Sequence, residues 1–356
     1  MFTRQFTSHP KLGGISYGFF EHLENGQRVF LRDGDGVGTR SRMVLIPEQD
    51  LGFFISYNSD DSNLRLDIIN AIFDYFFPVD GTHTPAPLAV SSEHSAPVTG
   101  SYRILQADTT TFGKSIFFFA QLIKVHTSKD GNLIVEPISR GDSFGGFEGS
   151  SQWVEIEPLY YERVDGNGQI TFIQDEEGSI THLISGQGYH GTYVKLPWYE
   201  TQSFQIILIV TVILLLIPMA VYTFIFWPLS VLIHKLRLKS KQNTTPQGAM
   251  IAWFWAGITS RMFLLLTSWV ICVRYVIHAF AGVPNFVWGI SDDMVKALNS
   301  MYLPAVLAVA LPFFAILAWI EGWWKVSIRV YYTLLTMAVF AGLWWAQYWN
   351  LIGFQY

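Results

Sequence analysis

The sequence predicts a chain in three structural parts: an antiparallel α+β sheet fragment closed by one helix, a small antiparallel β-barrel or sandwich, and a four-helix transmembrane bundle. Three observations carry this. The run "FQIILIVTVILLLIPMAVYTFIFWPLSVLI" (204–233) is thirty residues without a charge, long enough to cross a hydrocarbon core of ~30 Å. A series of short apolar or alternating runs between 97 and 197 is punctuated by Gly-containing turns, the pattern of an antiparallel meander. Charge divides at residue 200, with 14 Lys+Arg against 25 Asp+Glu before it and 9 against 3 after it. An acidic soluble part is therefore joined to a basic, apolar one, and no basic run in the first 200 residues points to nucleic acid.

Residues 1–78 open the chain. "GISYGFFEHLENGQRVFLRDGD" reads as strand, turn at Glu24-Asn25-Gly26 and strand, and "SRMVLIPEQDLGFFISYN" as strand, turn at Pro47–Asp50 and strand. "NLRLDIINAIFDYFF" (63–77) places Leu64, Ile68, Ile69, Ile72, Phe73, Phe76 and Phe77 at helical spacing. One helix cannot cover both faces of a sheet that is apolar on much of both, so a missing covering layer is expected. Residues 79–97, rich in Pro, Ser and Thr, read as a linker.

In the second part (98–197) seven runs are expected as strands: "GSYRIL", "FFFAQLIKVHT", "NLIVEPI", "QWVEIEPLYYERV", "QITFIQ", "SITHLIS" and "GTYVKL". The hairpin signals "SKDGN", "VDGNGQ" and "DEEGS" stand between several of them. "RGDSFGGFEGS" (140–150) lacks the Lys-Ser/Thr and following helix of a phosphate loop, so it and its RGD triplet read as plain loop.

Four spans are expected at about 204–233, 249–280, 301–320 and 330–354. The loop after the first holds Lys235, Arg237, Lys239 and Lys241 with no acid; the next holds Asp292 and Asp293 with one lysine; the third holds Lys325 and Arg329. That alternation puts both termini and residues 1–200 outside the cytoplasm. Arg261 and Arg274 lie inside the second span, where the simplest expectation is that they snorkel or pair near the ends of a tilted helix. Cys272 is the single cysteine, so no disulfide forms within the chain and no cysteine zinc site is available.

The ordered series "YGFFE", "NGQRVFLRDGDGVGTRS", "MVLIPEQDLGFFISYNSDD" and a helix ending "FDYFFP" resembles the C-terminal end of the serine beta-lactamase and penicillin-binding-protein superfamily, in its class C-related branch of membrane-attached hydrolases. The motifs cover about residues 10–78; the remainder is similar in architecture only, since a β-rich, lipocalin-like domain and membrane helices follow in some members. The resemblance implies an extracytoplasmic hydrolase acting on an amide or ester, such as a peptide or cell-wall fragment, with the lipid bilayer as its other partner and no cofactor. It puts Arg32-Asp33-Gly34 where the family's Lys/His-X-Gly triplet stands, on the strand beside the nucleophile. Arg32 would bind a substrate carboxylate or steady a catalytic Tyr, and Gly34, with Gly36 and Gly38 further along the stretch, would clear space for substrate. Arg departs from the family pattern, because a guanidinium does not shuttle protons at neutral pH. The plain alternative is a glycine-bent strand with Arg32 at a solvated edge.

The family's chemistry needs a Ser-X-X-Lys at a helix start and a second motif with Tyr or Lys. The one Ser-X-X-Lys here, Ser8 to Lys11, contains Pro10 and runs into Gly13-Gly14; "SYNS" (56–59) ends a strand. Neither fits, so no catalytic residue is assigned. The start "MFTRQFTSHPKLGG" has no apolar signal core, and the expectation is a longer parent that supplies signal, nucleophile and second motif upstream. No His/Asp/Glu set has metal-ligand spacing: His182 and His190 are eight apart, His83 and His94 lie in the linker, and "DGDGVG" (33–38) lacks the later acid of a calcium loop. Two further readings remain. One is a non-enzymatic membrane protein whose β-domain binds a ligand or partner. The other, a transporter or sensor, has few polar midplane residues to support it.

Overall fold

The computed structural model describes residues 1–36, 38–59, 63–79, 97–118, 122–138, 147, 149–164, 166, 168–186, 191–226, 228–229, 246–272 and 290–353. They form two compact units, one of residues 1–107 and 117–198, the other of residues 108–116 and 199–356.

The first unit begins with a four-stranded antiparallel meander, β1 (Phe20–Glu24), β2 (Gln27–Gly36), β3 (Thr39–Ile46) and β4 (Leu51–Tyr57), paired in sequence order. The β1–β2 turn is Asn25-Gly26, both at positive φ (46° and 74°), the two-residue hairpin geometry that Asn-Gly favours. Helix α1 (Asn63–Phe76) buries Ile69 and Phe73 against Val29, Val44 and Ile46. On the other face, Phe2 packs at a tilt against Phe30 with ring centroids 4.9 Å apart, while Met43 and Phe54 are exposed. The sheet thus carries apolar residues on both faces, and α1 covers one of them in part.

The barrel closes in the order β10-β11-β12-β5-β6-β7-β8-β9, from β5 (Gly100–Ile104), β6 (Leu122–Thr127), β7 (Leu133–Pro137), β8 (Ser151–Glu157), β9 (Tyr160–Arg163), β10 (Gln169–Gln174), β11 (Ile180–Ser185) and β12 (Thr192–Lys195). Eight strands arise from seven sequence runs because "QWVEIEPLYYERV" folds back on itself. Leu159, at φ 63°, makes the turn, and its N–H donates to the Glu155 carboxylate at 2.8 Å. A second departure is at Phe117 and Phe118, expected to begin a strand, which end a 3-10 helix over Phe112–Phe118. Tyr102, Trp153, Tyr161, Phe172 and Tyr193 fill the interior, which an eight-stranded barrel is just wide enough to allow. Sheet and barrel meet at the N-terminal segment, where the His9 ring stacks on Tyr160 at 4.4 Å and Lys11 pairs with Glu157.

The second unit contains four helical stretches long and apolar enough to cross a membrane: Gln202–Phe226, Gln247–Ile271, Asp292–Ile320 and Val326–Tyr348. The first is α2 (Gln202–Val221), continued by a π-turn over Tyr222–Phe226 that follows Pro218, whose missing N–H interrupts the ladder. The second is α3 (Gln247–Ile271). The third starts nine residues earlier than the sequence predicts and is broken into α4 (Asp292–Ser300), α5 (Tyr302–Ala308) and α6 (Ala310–Ile320). Pro304 and Pro312 cannot donate to the carbonyls four residues back, and the breaks fall at Met301 and Val309. Asp292 and Asp293 therefore lie not in a loop but in the first turn of α4, where the N-cap Ser291 accepts from Met294 N at 3.3 Å and acidic groups suit the helix dipole. The fourth is α7 (Val326–Tyr348).

Tyr331 OH donates to Leu215 O (2.9 Å), Tyr332 OH to Ala252 O (3.2 Å) and Trp255 Nε1 to Leu307 O (2.9 Å). Residues 108–116, between β5 and β6 in sequence, pack with these helices. Asn350 Nδ2 donates to Thr109 O (3.3 Å) and Thr111 O (2.8 Å), and Lys114 Nζ lies 3.7 Å from the Tyr348 ring centre. Arg261 is the fifteenth of the 25 described residues of α3. Arg274 lies outside the described residues, as do His83, His94, His190 and all but Phe147, Gly149 and Ser150 of the 140–150 loop.

Candidate functional site

Strand pleating sends successive side chains to opposite faces, and on β2 it divides the sequence-predicted site in two. Val29, Leu31, Asp33 and Asp35 share the side on which α1 packs; Phe30, Arg32 and Gly34 share the other.

Asp33 is turned into the covered side. Its carboxylate accepts from Arg42 Nε (2.5 Å) and Nη2 (2.7 Å), the bidentate arrangement, and Arg65 Nη2 stands 3.6 Å away. Arg65, from the first turn of α1, also donates to Asp35 (2.7 Å) and to Ser41 O (3.0 Å). The Asp33, Arg42 and Arg65 side chains are 5%, 9% and 8% exposed, so this is a buried ionic lattice joining β2, β3 and α1. It holds the strand rather than offering a group to solvent. Its cations were not singled out in the sequence. The signal was present, because acids at 33 and 35 continue the inward alternation of Val29 and Leu31 and so demand basic partners.

His22 on β1 pairs with Val29 and shares its side. Burial, and then the Arg42 charge, push its imidazole down to about 4, against the opposing influence of Asp33, a hydrogen bond to the Gly186 backbone and Glu21. On the opposite side, Arg4 and Arg28 clasp Glu21 (2.5 Å each at the closest). Burial would raise the Glu21 carboxyl, but these two guanidinium groups hold it below its ordinary value.

The open face presents Arg32, Gly34, Ser41, Met43, Phe54 and Ser56, with Arg32, Met43 and Phe54 exposed. Ser41 Oγ donates to Gly34 O at 2.9 Å, and a Cβ at Gly34 would stand 2.6 Å from that hydroxyl. Gly34→Val is expected to displace the Ser41 hydroxyl and lose its bond to Gly34 O, at a cost of about 0.5–1.5 kcal/mol, read as faster hydrogen exchange at the β2–β3 amides. Gly36 ends β2, and Gly38 sits in the turn at φ 72°. Arg40 Nη1 donates to Gly36 O.

Among the described residues, neither motif weighed for the nucleophile forms the helical Ser-X-X-Lys arrangement at this face, although the hydroxyls of Ser41 and Ser56 lie on it. Ser8 and Lys11 lie in a turn, not a helix, and Lys11 is engaged by Glu157. "SYNS" ends β4 as its sequence indicates. His182 lies on β11 with Nδ1 2.9 Å from Thr181 Oγ1. Among the described residues no group of three His, Cys, Asp or Glu side chains could hold a metal.

No protein-family profile matches the chain, and no characterised protein matches it in sequence. Among solved structures, SurE with D-Leu aligns at 15% identity and TM-score 0.29 over 51% of this chain and 39% of that one, and a second SurE structure at 16% and 0.29. The octameric penicillin-binding protein homologue from Pyrococcus abyssi aligns at 13% identity and TM-score 0.19 over 54% of this chain and 40% of that one. The chain spans about two fifths of the length of each of these structures. These are weak, partial likenesses.

Proposed function

We propose that the chain is the membrane-anchored C-terminal portion of a serine hydrolase related to the beta-lactamases and penicillin-binding proteins, acting outside the cytoplasm on an amide or ester such as a peptide or cell-wall fragment. One observation carries the reading. The Arg32-Asp33-Gly34 triplet is split by the pleat, with Asp33 locked under the sheet while Arg32 and Gly34 lie on the open face. A strand built this way is rigid from behind and accessible in front. Its backbone can run alongside a substrate at Gly34 while a permanent cation at 32 attracts a carboxylate. The exposed Met43 and Phe54 would then be covered by the helical layer carrying the nucleophile. The filled barrel interior argues against the alternative of a ligand held inside the β-domain.

The chain by itself is expected to form no acyl-enzyme. Incubated in membranes with a fluorescent penicillin or a fluorophosphonate, it should remain unlabelled. Co-expressed with an upstream polypeptide bearing a helical Ser-X-X-Lys, it should support labelling of that polypeptide, and Arg32→Ala should weaken the labelling about tenfold or more. Covalent labelling of this chain alone would refute the assignment of the nucleophile to another segment. Labelling of the complemented enzyme that ignores Arg32 would refute the role of β2.

A further inference from the structure

Arg261 stands 14 residues from the start of α3 and 10 from Ile271, which at the helical rise is about 21 Å and about 15 Å. With α3 crossing a bilayer whose hydrocarbon core is ~30 Å, the guanidinium lies well inside the span, at least about 15 Å of helix from either end of its described residues. Its Nε donates to Gly257 O, 3.2 Å away and one turn back in the same helix, a bond that neutralises no charge. It sits at the flank of the outer stripe of α3, beside exposed Leu265 and Ser268, not in the packed interior formed by Ala256, Ser260 and Phe263.

No carboxylate in this part of the chain can meet it. Residues 201–356 contain three acids, Asp292, Asp293 and Glu321. The first two open α4 and the third follows the last residue of α6, so they mark the ends of the third stretch and not its middle. Ionisable groups at this depth pair or face a polar path. A second copy of the chain would bring another guanidinium and again no mid-span acid. A lipid phosphate would have to be drawn from the interface to the midplane.

We propose that Arg261 is the docking point for an Asp or Glu at mid-span in a transmembrane helix of a different polypeptide, packed on the stripe of α3 that carries Arg261, Leu265 and Ser268. This rests on the four helical stretches crossing a membrane. Retention of the full chain in the membrane pellet after alkaline carbonate extraction tests that premise separately.

The experiment places a photo-crosslinking residue at Leu265 in the full chain in its native membrane. The expected product is a polypeptide with an acid at mid-span. Its yield should fall about tenfold in Arg261→Leu, the change expected for loss of about 1.4 kcal/mol of binding. Arg261→Lys should keep the yield, and Arg261→Asp should recover it when the partner's acid becomes Arg. A yield indifferent to Arg261→Leu, or crosslinks only to a second copy or to lipid, overturns the proposal. Thermal melting of the purified chain in neutral-lipid nanodiscs separates folding from docking. Arg261→Leu should melt no lower than the parent, and a lower value would mean the charge is satisfied internally. Stabilisation of the parent but not of Arg261→Leu by anionic lipid would assign the counter-charge to the bilayer and equally overturn it.

Discussion

Asp33→Ala is expected to destabilise the sheet by about 3–5 kcal/mol, the range for removing one member of a buried ion pair. Asp33 is the acceptor of both Arg42 hydrogen bonds, so its loss strands a guanidinium that is 9% exposed. Arg65 keeps Asp35 and Ser41 O and limits the damage on the α1 side. The cost arises from an unpaired charge, not from the net worth of the pair. The double replacement Asp33→Val with Arg42→Met, which removes both charges, should therefore recover most of it. The neighbouring Arg32→Ala, on the exposed face, should cost clearly less than Asp33→Ala, because it strands no buried charge. Hydrogen exchange of the β2–β3 amides in the full chain reads all three variants as local opening free energies. Adjacent residues of one triplet would then differ severalfold in structural effect. Equal effects at 32 and 33 would contradict the division of the strand into a held face and a presented one.

Acidification from about pH 6.5 to about 4 is expected to remove about 3 kcal/mol through His22, whose imidazole is depressed from 6.5 to about 4. The unfolded chain binds a proton at His22 throughout that window while the folded chain does not, so stability rises with pH across it and is lost as pH falls. Arg42, Asp33, Glu21 and the Gly186 backbone all act on the ring. Glu24, raised by burial and then by Asp74, titrates with the opposite sign. Glu21, held below its ordinary 4.5 by its arginines, adds to the loss with the same sign as pH falls through about 4.5 and below. The comparison that isolates the histidine is His22→Gln, which retains an amide N–H for Gly186 but has no charge to gain. Thermal melting of parent and variant over this range should show a slope in the parent that is largely absent in His22→Gln. An unchanged slope would mean that the carboxylates dominate. The imidazole chemical shifts should titrate near 4.

Much of the architecture was legible because the deciding interactions are local. Asn25-Gly26, the alternation in β3 and β4 and the spacing of Ile69 and Phe73 each specify their element within a few residues. What escaped was set at a distance or by chemistry without a usual signal. The β8–β9 turn has Leu159 at positive φ where glycine would announce a hairpin, and the compensation comes from Glu155 four residues earlier. The aromatic run that starts at Phe117 suggests a strand from its first residue, yet Phe117 and Phe118 end a 3-10 helix that begins at Phe112, and the strand starts only at Leu122. The breaks in the third helical stretch were written in Pro304 and Pro312, but hydropathy alone reads through them. In the candidate site, the sequence indicated the strand and its glycines. It did not show which way Asp33 points, because that depends on Arg42 and on Arg65, the latter 32 residues further along.

The segment 108–116 has a consequence for biosynthesis. Thr111 and its partner Asn350 are 239 residues apart, so the peptide that receives the Asn350 amide is made early and waits for almost the last residues of the described chain. At translation rates of roughly 5–20 residues per second the wait is on the order of ten seconds to a minute. During this interval barrel strands β5 and β6 are held together by a tether whose final conformation is undecided. Synthesis of Asn350 is then the step that lets the 108–116 segment form its bonds to Asn350 Nδ2.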